Sequence, residues 1–255
     1  MNKKSAIIIL SCILLFFAGS VFAQQKPTTT IPFPKISLGV GTATDGNDVS
    51  VTLQILLLMT ILSLAPSIII LTTAYLRIII VFSFLKSALG TQQMPPSQLL
   101  AAVALFITFF IMAPTWNKVN DDALKPLMNN KITVEEAYNK GIEPIRQFMF
   151  RQTRQEDMEL FIGLSNQPRP NTRADVPTYI LIPAFVLSEL RAGFIMGFFL
   201  FIPFIMIDMI VSSILMSMGM MMMPPMMISL PFKILLFVLV DGWNLIVGSL
   251  IRSFS

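Results

Sequence analysis

Twenty-eight consecutive residues without a charge, Val49 to Leu76, set the terms on which this chain can fold. A helix of that length, at about 1.5 Å per residue, is long enough to cross the roughly 30 Å of hydrocarbon in a bilayer. A soluble core has no need of so long an uncharged run. The pattern returns from Ser97 to Trp116, and again from Thr178 to Phe232, where only Glu189, Arg191 and Asp208 carry charge. A last apolar segment runs from Lys233 to Ile251 with Asp241 in its middle. Composition agrees, at 55% hydrophobic and 13% charged residues and a mean hydropathy of +0.75. The expected fold class is an all-α integral membrane protein, with helical hairpins from about four apolar segments and a small exported helical insert.

The N-terminus reads as a secretory signal peptide over residues 1–23. Lys3 and Lys4 supply the positive region, Ala6 to Ala18 the apolar region, and Val21-Phe22-Ala23 the small-residue site, with cleavage after Ala23. An uncleaved anchor is the competing reading, but the apolar region falls short of the roughly 20 residues a span needs. Residues 24–48, rich in Pro, Thr and Gly, read as an exported linker. Residues 49–116 then form a first helical hairpin with a turn around Gly90 and Pro95-Pro96, and Pro66 is expected to kink its first helix.

Residues 117–177 form the insert, and residues 178–255 a second hairpin. The stretch 116–178 holds nine basic and nine acidic residues, and is neutral overall. Thr133-Val134-Glu135-Glu136 predicts a capping box. From there Val134, Ala137, Tyr138, Ile142, Ile145, Phe148 and Met149 recur at helical spacing, and Pro144 is expected to bend or end that helix. An exported N-terminus sends the first span inward, which places the Arg77–Lys86 turn in the cytoplasm, as basic residues prefer. The insert is then periplasmic.

Function classes fall away quickly. There is no histidine and the only cysteine is Cys12, so histidine triads and histidine-ligated metals are excluded, and no cofactor is expected. No basic patch with interleaved aromatics supports nucleic-acid binding, and no phosphate loop is present. Asp208 and Asp241 lack the glycine-rich surroundings of an intramembrane aspartyl protease, so catalysis is not expected. Arg77, Glu189, Arg191, Asp208, Lys233 and Asp241 are the expensive charges, each costing about 2.5–3.5 kcal/mol at a bilayer centre. They must pair, line water, snorkel to the interface or leave lipid on assembly. Glu189 and Arg191 are two apart and cannot pair along one helix face. Asp208 and Lys233 flank an uncharged stretch and are expected to form a buried pair, more readily between copies than within one.

That stretch contains eight methionines in the twelve positions from Met216 to Met227, interrupted by Gly219 and Pro224-Pro225. Methionine is unbranched and soft, and re-packs when its neighbours move. Beside a helix-breaking proline pair it suits a surface that must seal and yet deform. The plain alternative is a greasy helix end.

Three long motifs carry a resemblance. Tyr75 to Gln93 (YLRIIIVFSFLKSALGTQQ) with Met94-Pro95-Pro96, Pro183 to Phe194 (PAFVLSELRAGF), and Pro231 to Trp243 (PFKILLFVLVDGW) resemble the FliP family of flagellar export proteins and its injectisome counterparts. The resemblance covers Val51 to Phe254. It implies a core subunit of the flagellar type III export gate, in the bacterial inner membrane at the flagellar basal body. Several copies would assemble with FliQ-like and FliR-like subunits, and with FlhA-like and FlhB-like export proteins, into a channel for unfolded flagellar proteins. By position it implies a methionine seal at Met218, Met220, Met221, Met222 and Met223. Hairpins packed against other subunits would explain the costly charges. An ion-coupled transporter subunit, with membrane carboxylates as relays, and a purely structural assembly factor are the alternatives.

Overall fold

The computed structural model describes residues 46–254 apart from 92–94, 166–167 and 221–223. The leader at 1–23 and most of the linker at 24–48 lie outside the described residues. Among the described residues every regular element is a helix. In chain order these are α1 (Gly46–Leu71), α2 (Tyr75–Leu89), α3 (Ser97–Val119), a π-turn (Asn120–Leu124), α4 (Lys125–Met128), α5 (Val134–Gln152), α6 (Gln155–Leu164), α7 (Thr178–Ser217), α8 (Pro225–Leu239) and α9 (Gly242–Arg252). Leu53–Leu71, Ser97–Met128 and Thr178–Ser217 are each long and apolar enough to cross a membrane, and the bent pair α8–α9 adds a fourth candidate span.

The centre of the fold is α2 against the first half of α7. Helix α2 buries Ile78, Val81, Phe82, Leu85 and Leu89, one face at helical spacing. Helix α7 answers with Leu181, Phe185, Glu189, Gly193 and Gly197, a stripe with a step of four. The two glycines let the backbones approach. A Cβ on Gly193 would stand 3.0 Å from Ile80, and one on Gly197 2.4 Å from the ring of Phe84. Small residues at such a step allow close packing where lipid supplies no hydrophobic drive. With 40 residues, α7 is about 60 Å long at 1.5 Å per residue, twice the hydrocarbon thickness. Its N-terminal half packs on α2, α5 and α6, whereas its C-terminal half buries only Phe204 and Leu215.

Several elements depart from the sequence expectation. Helix α3 does not stop at Trp116 but runs to Val119 and on through the π-turn. Gly141 on α5 stands opposite that turn, where a Cβ would come within 3.3 Å of Ala123. Thr133 and Glu136 close the capping box. Helix α5 then continues through Pro144 to Gln152, because a single missing N–H leaves the rest of the ladder intact. Val134 and Tyr138 lie on the exposed side of α5, although their spacing matched the buried face. Helix α1 holds Pro66 in its interior, and none of Leu53–Leu71 is buried.

The last apolar segment is two helices meeting at 62°. Asp241 turns the chain with a left-handed φ of 49°, and Gly242 follows where a Cβ would lie 2.3 Å from the ring of Phe237. Trp243 fills the elbow edge-on to Phe237 at 5.4 Å and to Phe82 at 6.4 Å.

The glycine approach yields a controlled comparison. Gly197→Ala should destabilise the purified protein by about 1–3 kcal/mol through overpacking, read as an earlier thermal transition in detergent. Gly163→Ala, with nothing within 4 Å of its Cβ, should be neutral or raise stability by up to about 1 kcal/mol, as expected in a helix interior.

Candidate functional site

The expensive charges gather into clusters. Arg77 on α2 is 4% exposed and Glu189 on α7 is fully buried. The Arg77 guanidinium grips the carboxylate in a fork, with Nε donating to Oε2 at 2.9 Å and Nη2 to Oε1. Its remaining donors reach Gln152 Oε1 at the end of α5, and the carbonyl and hydroxyl oxygens of Ser253, each at 3.0 Å. Phe254 lies under the guanidinium at 3.9 Å, and Gln152 Nε2 donates back to the Phe254 carbonyl. All five N–H groups of Arg77 are therefore spent, which is the condition under which a buried pair offsets its desolvation.

One residue earlier, Ser188 faces another neighbour. Its hydroxyl donates to Asp157 Oδ2 on α6 at 2.7 Å and accepts from the Arg154 amide at 3.0 Å. Arg191 Nη2 lies 3.6 Å from Asp157 Oδ1. Glu189 and Arg191 thus pair with different elements, as their angular separation requires.

The third cluster stands beside the methionines. Lys233 on α8, 3% exposed, binds Asp208 Oδ2 on α7 at 2.6 Å and donates to the Ala88 carbonyl at 3.1 Å. Ser229 donates to Asp208 Oδ1 at 2.6 Å. The contact closes within one chain, because the α7–α8 turn returns Lys233 alongside Asp208. The ammonium also caps the C-terminal end of α2, where a cation is favoured by the helix dipole. The chain leaves α2 there through Gly90, at a positive φ of 70°.

Between Asp208 and Lys233 the turn carries exposed methionines. Met216, Met218, Met220, Met226 and Met227 are 66, 66, 44, 57 and 74% exposed. Gly219 provides the reversal at φ 75°. Met221, Met222 and Met223 lie outside the described residues. Asp241 stands apart from these clusters, exposed, with Asn244 Nδ2 on its carboxylate at 3.1 Å.

The sequence did not single out Gln152, Asp157, Ser188, Ser229 or the Ser253 and Phe254 carbonyls. Asp157 opening the apolar cluster from Met158, and Ser188 beside Glu189, were available signals. Main-chain acceptors leave none.

Residues 58–250 match the FliP family. The flagellar biosynthetic protein FliP of Bacillus subtilis (strain 168) is 55% identical over 217 residues, covering 85% of this chain and 98% of the relative. That of Borreliella burgdorferi is 47% identical over 248 residues, covering 94% and 96%. That of Treponema denticola is 43% identical over 272 residues and covers both chains in full.

For the third cluster, Asp208→Ala should cost about 3–5 kcal/mol by stranding the buried Lys233 ammonium. Lys233→Ala should cost less, since the carboxylate it strands is 34% exposed and keeps its hydrogen bond from Ser229. A double-mutant cycle on detergent-solubilised protein should give a coupling of about 1–3 kcal/mol. The exchange Asp208→Lys with Lys233→Asp should restore only part, because it sets a carboxylate against the Ala88 carbonyl. Additive single-site losses would show that the two side chains do not depend on each other.

Proposed function

This chain belongs to the FliP family, and from that premise we propose that it is a core subunit of the flagellar type III protein export gate, working without a catalytic step or cofactor. It acts in the bacterial inner membrane at the flagellar basal body. Several copies, with FliQ-like and FliR-like subunits and with FlhA-like and FlhB-like export proteins, line the route of unfolded flagellar proteins. The leader is removed after Ala23, and residues 117–177 face the periplasm.

The observation that carries this reading is the methionine turn. Five described methionines are exposed together at the reversal between α7 and α8, while the charges on either side of them are bound to each other. A single chain gains nothing by presenting so much soft apolar surface at one end. Several copies bringing Met218, Met220, Met221, Met222 and Met223 to one constriction gain a seal. Thioethers close on one another at rest and rearrange around side chains of any shape, which branched residues do poorly. Gly219 and Pro224-Pro225 interrupt helical hydrogen bonding on either side of the methionines between them. An ion-coupled transporter would instead rely on free membrane carboxylates, whereas, among the described residues, Glu189 and Asp208 are each held by a cation and Asp241 alone of the three has only the Asn244 amide on it.

Replacing Met218, Met220 and Met222 with alanine should raise resting permeability to ions or small dyes while leaving assembly intact. A variant that assembles, leaks no more than its parent and exports at the parental rate would reduce the methionines to filler.

A further inference from the structure

Where α3 leaves its apolar stretch, a cleft of about 370 Å³ opens between that helix, α5 and the loop before α7. Four of its lining residues are cations, namely Lys118, Arg146, Arg151 and Arg173, against the single carboxylate of Glu143. Arg146 is already committed. It donates to Thr178 Oγ1 at 2.5 Å and to the Val176 carbonyl at 2.7 Å, and so builds the wall of the cleft. Glu143 leans on that same Arg146 at 3.8 Å. Lys118, Arg151 and Arg173 are exposed and form no ion pair among the described residues. Four cations against one carboxylate, itself leaning on Arg146, leave this cleft with an excess of positive charge.

The apolar side of the site is equally specific. Pro114 on α3 lines the cleft, and Phe110 and Phe106 precede it at successive steps of four. That spacing puts all three on one helix face. Phe110 and Phe106 are 67% and 74% exposed. A cationic cleft therefore sits at the end of an outward-facing aromatic stripe on a helix long enough to span a membrane. Trp116, a residue type enriched at the membrane–water boundary, lies on the same turn.

We propose that this cleft binds the phosphate of an anionic phospholipid, with Lys118, Arg151 and Arg173 around the headgroup and the acyl chains lying along Pro114, Phe110 and Phe106. Basic pockets beside membrane helices suit such headgroups. A free phosphate would satisfy the cations but leave the aromatic stripe without a role. The site is independent of the methionine turn, and stands or falls apart from the export reading.

The test uses the full chain purified in detergent, with dioctanoyl phosphatidylglycerol as probe and native mass spectrometry as readout. The parent should retain phosphatidylglycerol in preference to dioctanoyl phosphatidylcholine. The variant Lys118→Gln, Arg151→Gln, Arg173→Gln should lose at least about tenfold in affinity, at roughly 1 kcal/mol per basic residue. A control with matched charge loss at exposed Lys131, Arg169 and Arg252 should keep parental binding. Excess inorganic phosphate should fail to displace the lipid. Equal binding of the two lipids, equal binding by parent and triple variant, or displacement of the lipid by excess inorganic phosphate would each overturn the proposal.

Discussion

The grip of Arg77 on Glu189 is the interaction on which the rest of the structure depends. It joins α2 to α7 one turn before the close approach at Gly193 and Gly197. Through Gln152, Ser253 and Phe254 it also fastens the end of α5 and the C-terminal residues to the same guanidinium. Removing either partner would strand a charge in a site with almost no water. Hydrophobic packing alone would leave α2 free to slide along the small-residue stripe of α7. The fork fixes its register, because its hydrogen bonds form only in one alignment.

The same logic extends along α7. Ser188, Glu189 and Arg191 serve two neighbours in turn, and Asp208 takes a third with Lys233. Charges that would oppose insertion into lipid are thereby converted into internal pins, each at a junction of two or more elements. What remains outside is apolar: α1, the outer face of α3, the distal half of α7 and the methionine turn. Apolar segments that hold Arg77, Glu189 and Lys233 buried and show apolar surface outside are built to be surrounded, by lipid or by other subunits. Membership of the FliP family points to flagellar biosynthesis as the setting.

Much of this was legible in the residues. The uncharged runs specify membrane helices, Thr133 and Glu136 mark the start of α5, and the two-residue offset of Glu189 and Arg191 says that they need separate partners. The rest was hidden for identifiable reasons. Pro144 looked like a stop, but the packing of Phe148 and Met149 into the core carries the helix through it. The elbow at Asp241 had a signal in the Asp241-Gly242 pair, a turn dipeptide whose Asp tolerates a left-handed φ, but that pair sits inside an apolar run that reads as one continuous segment. That Arg77 would find Ser253 could not be read at all, since the acceptor there is partly main chain and 176 residues away. The closure of Asp208 on Lys233 within one chain follows from the length of the α7–α8 turn, a quantity that a methionine-rich sequence does not announce.

Hydrogen exchange measured by mass spectrometry on Arg77→Met and parental protein tests the central claim most directly. If one buried side chain holds four segments, exchange should rise together in peptides covering the start of α2, the end of α5, the Ser188–Arg191 region of α7 and residues 250–254, while α8 and the methionine turn change little. A rise confined to α2, with the other three segments as protected as in the parent, would contradict the account.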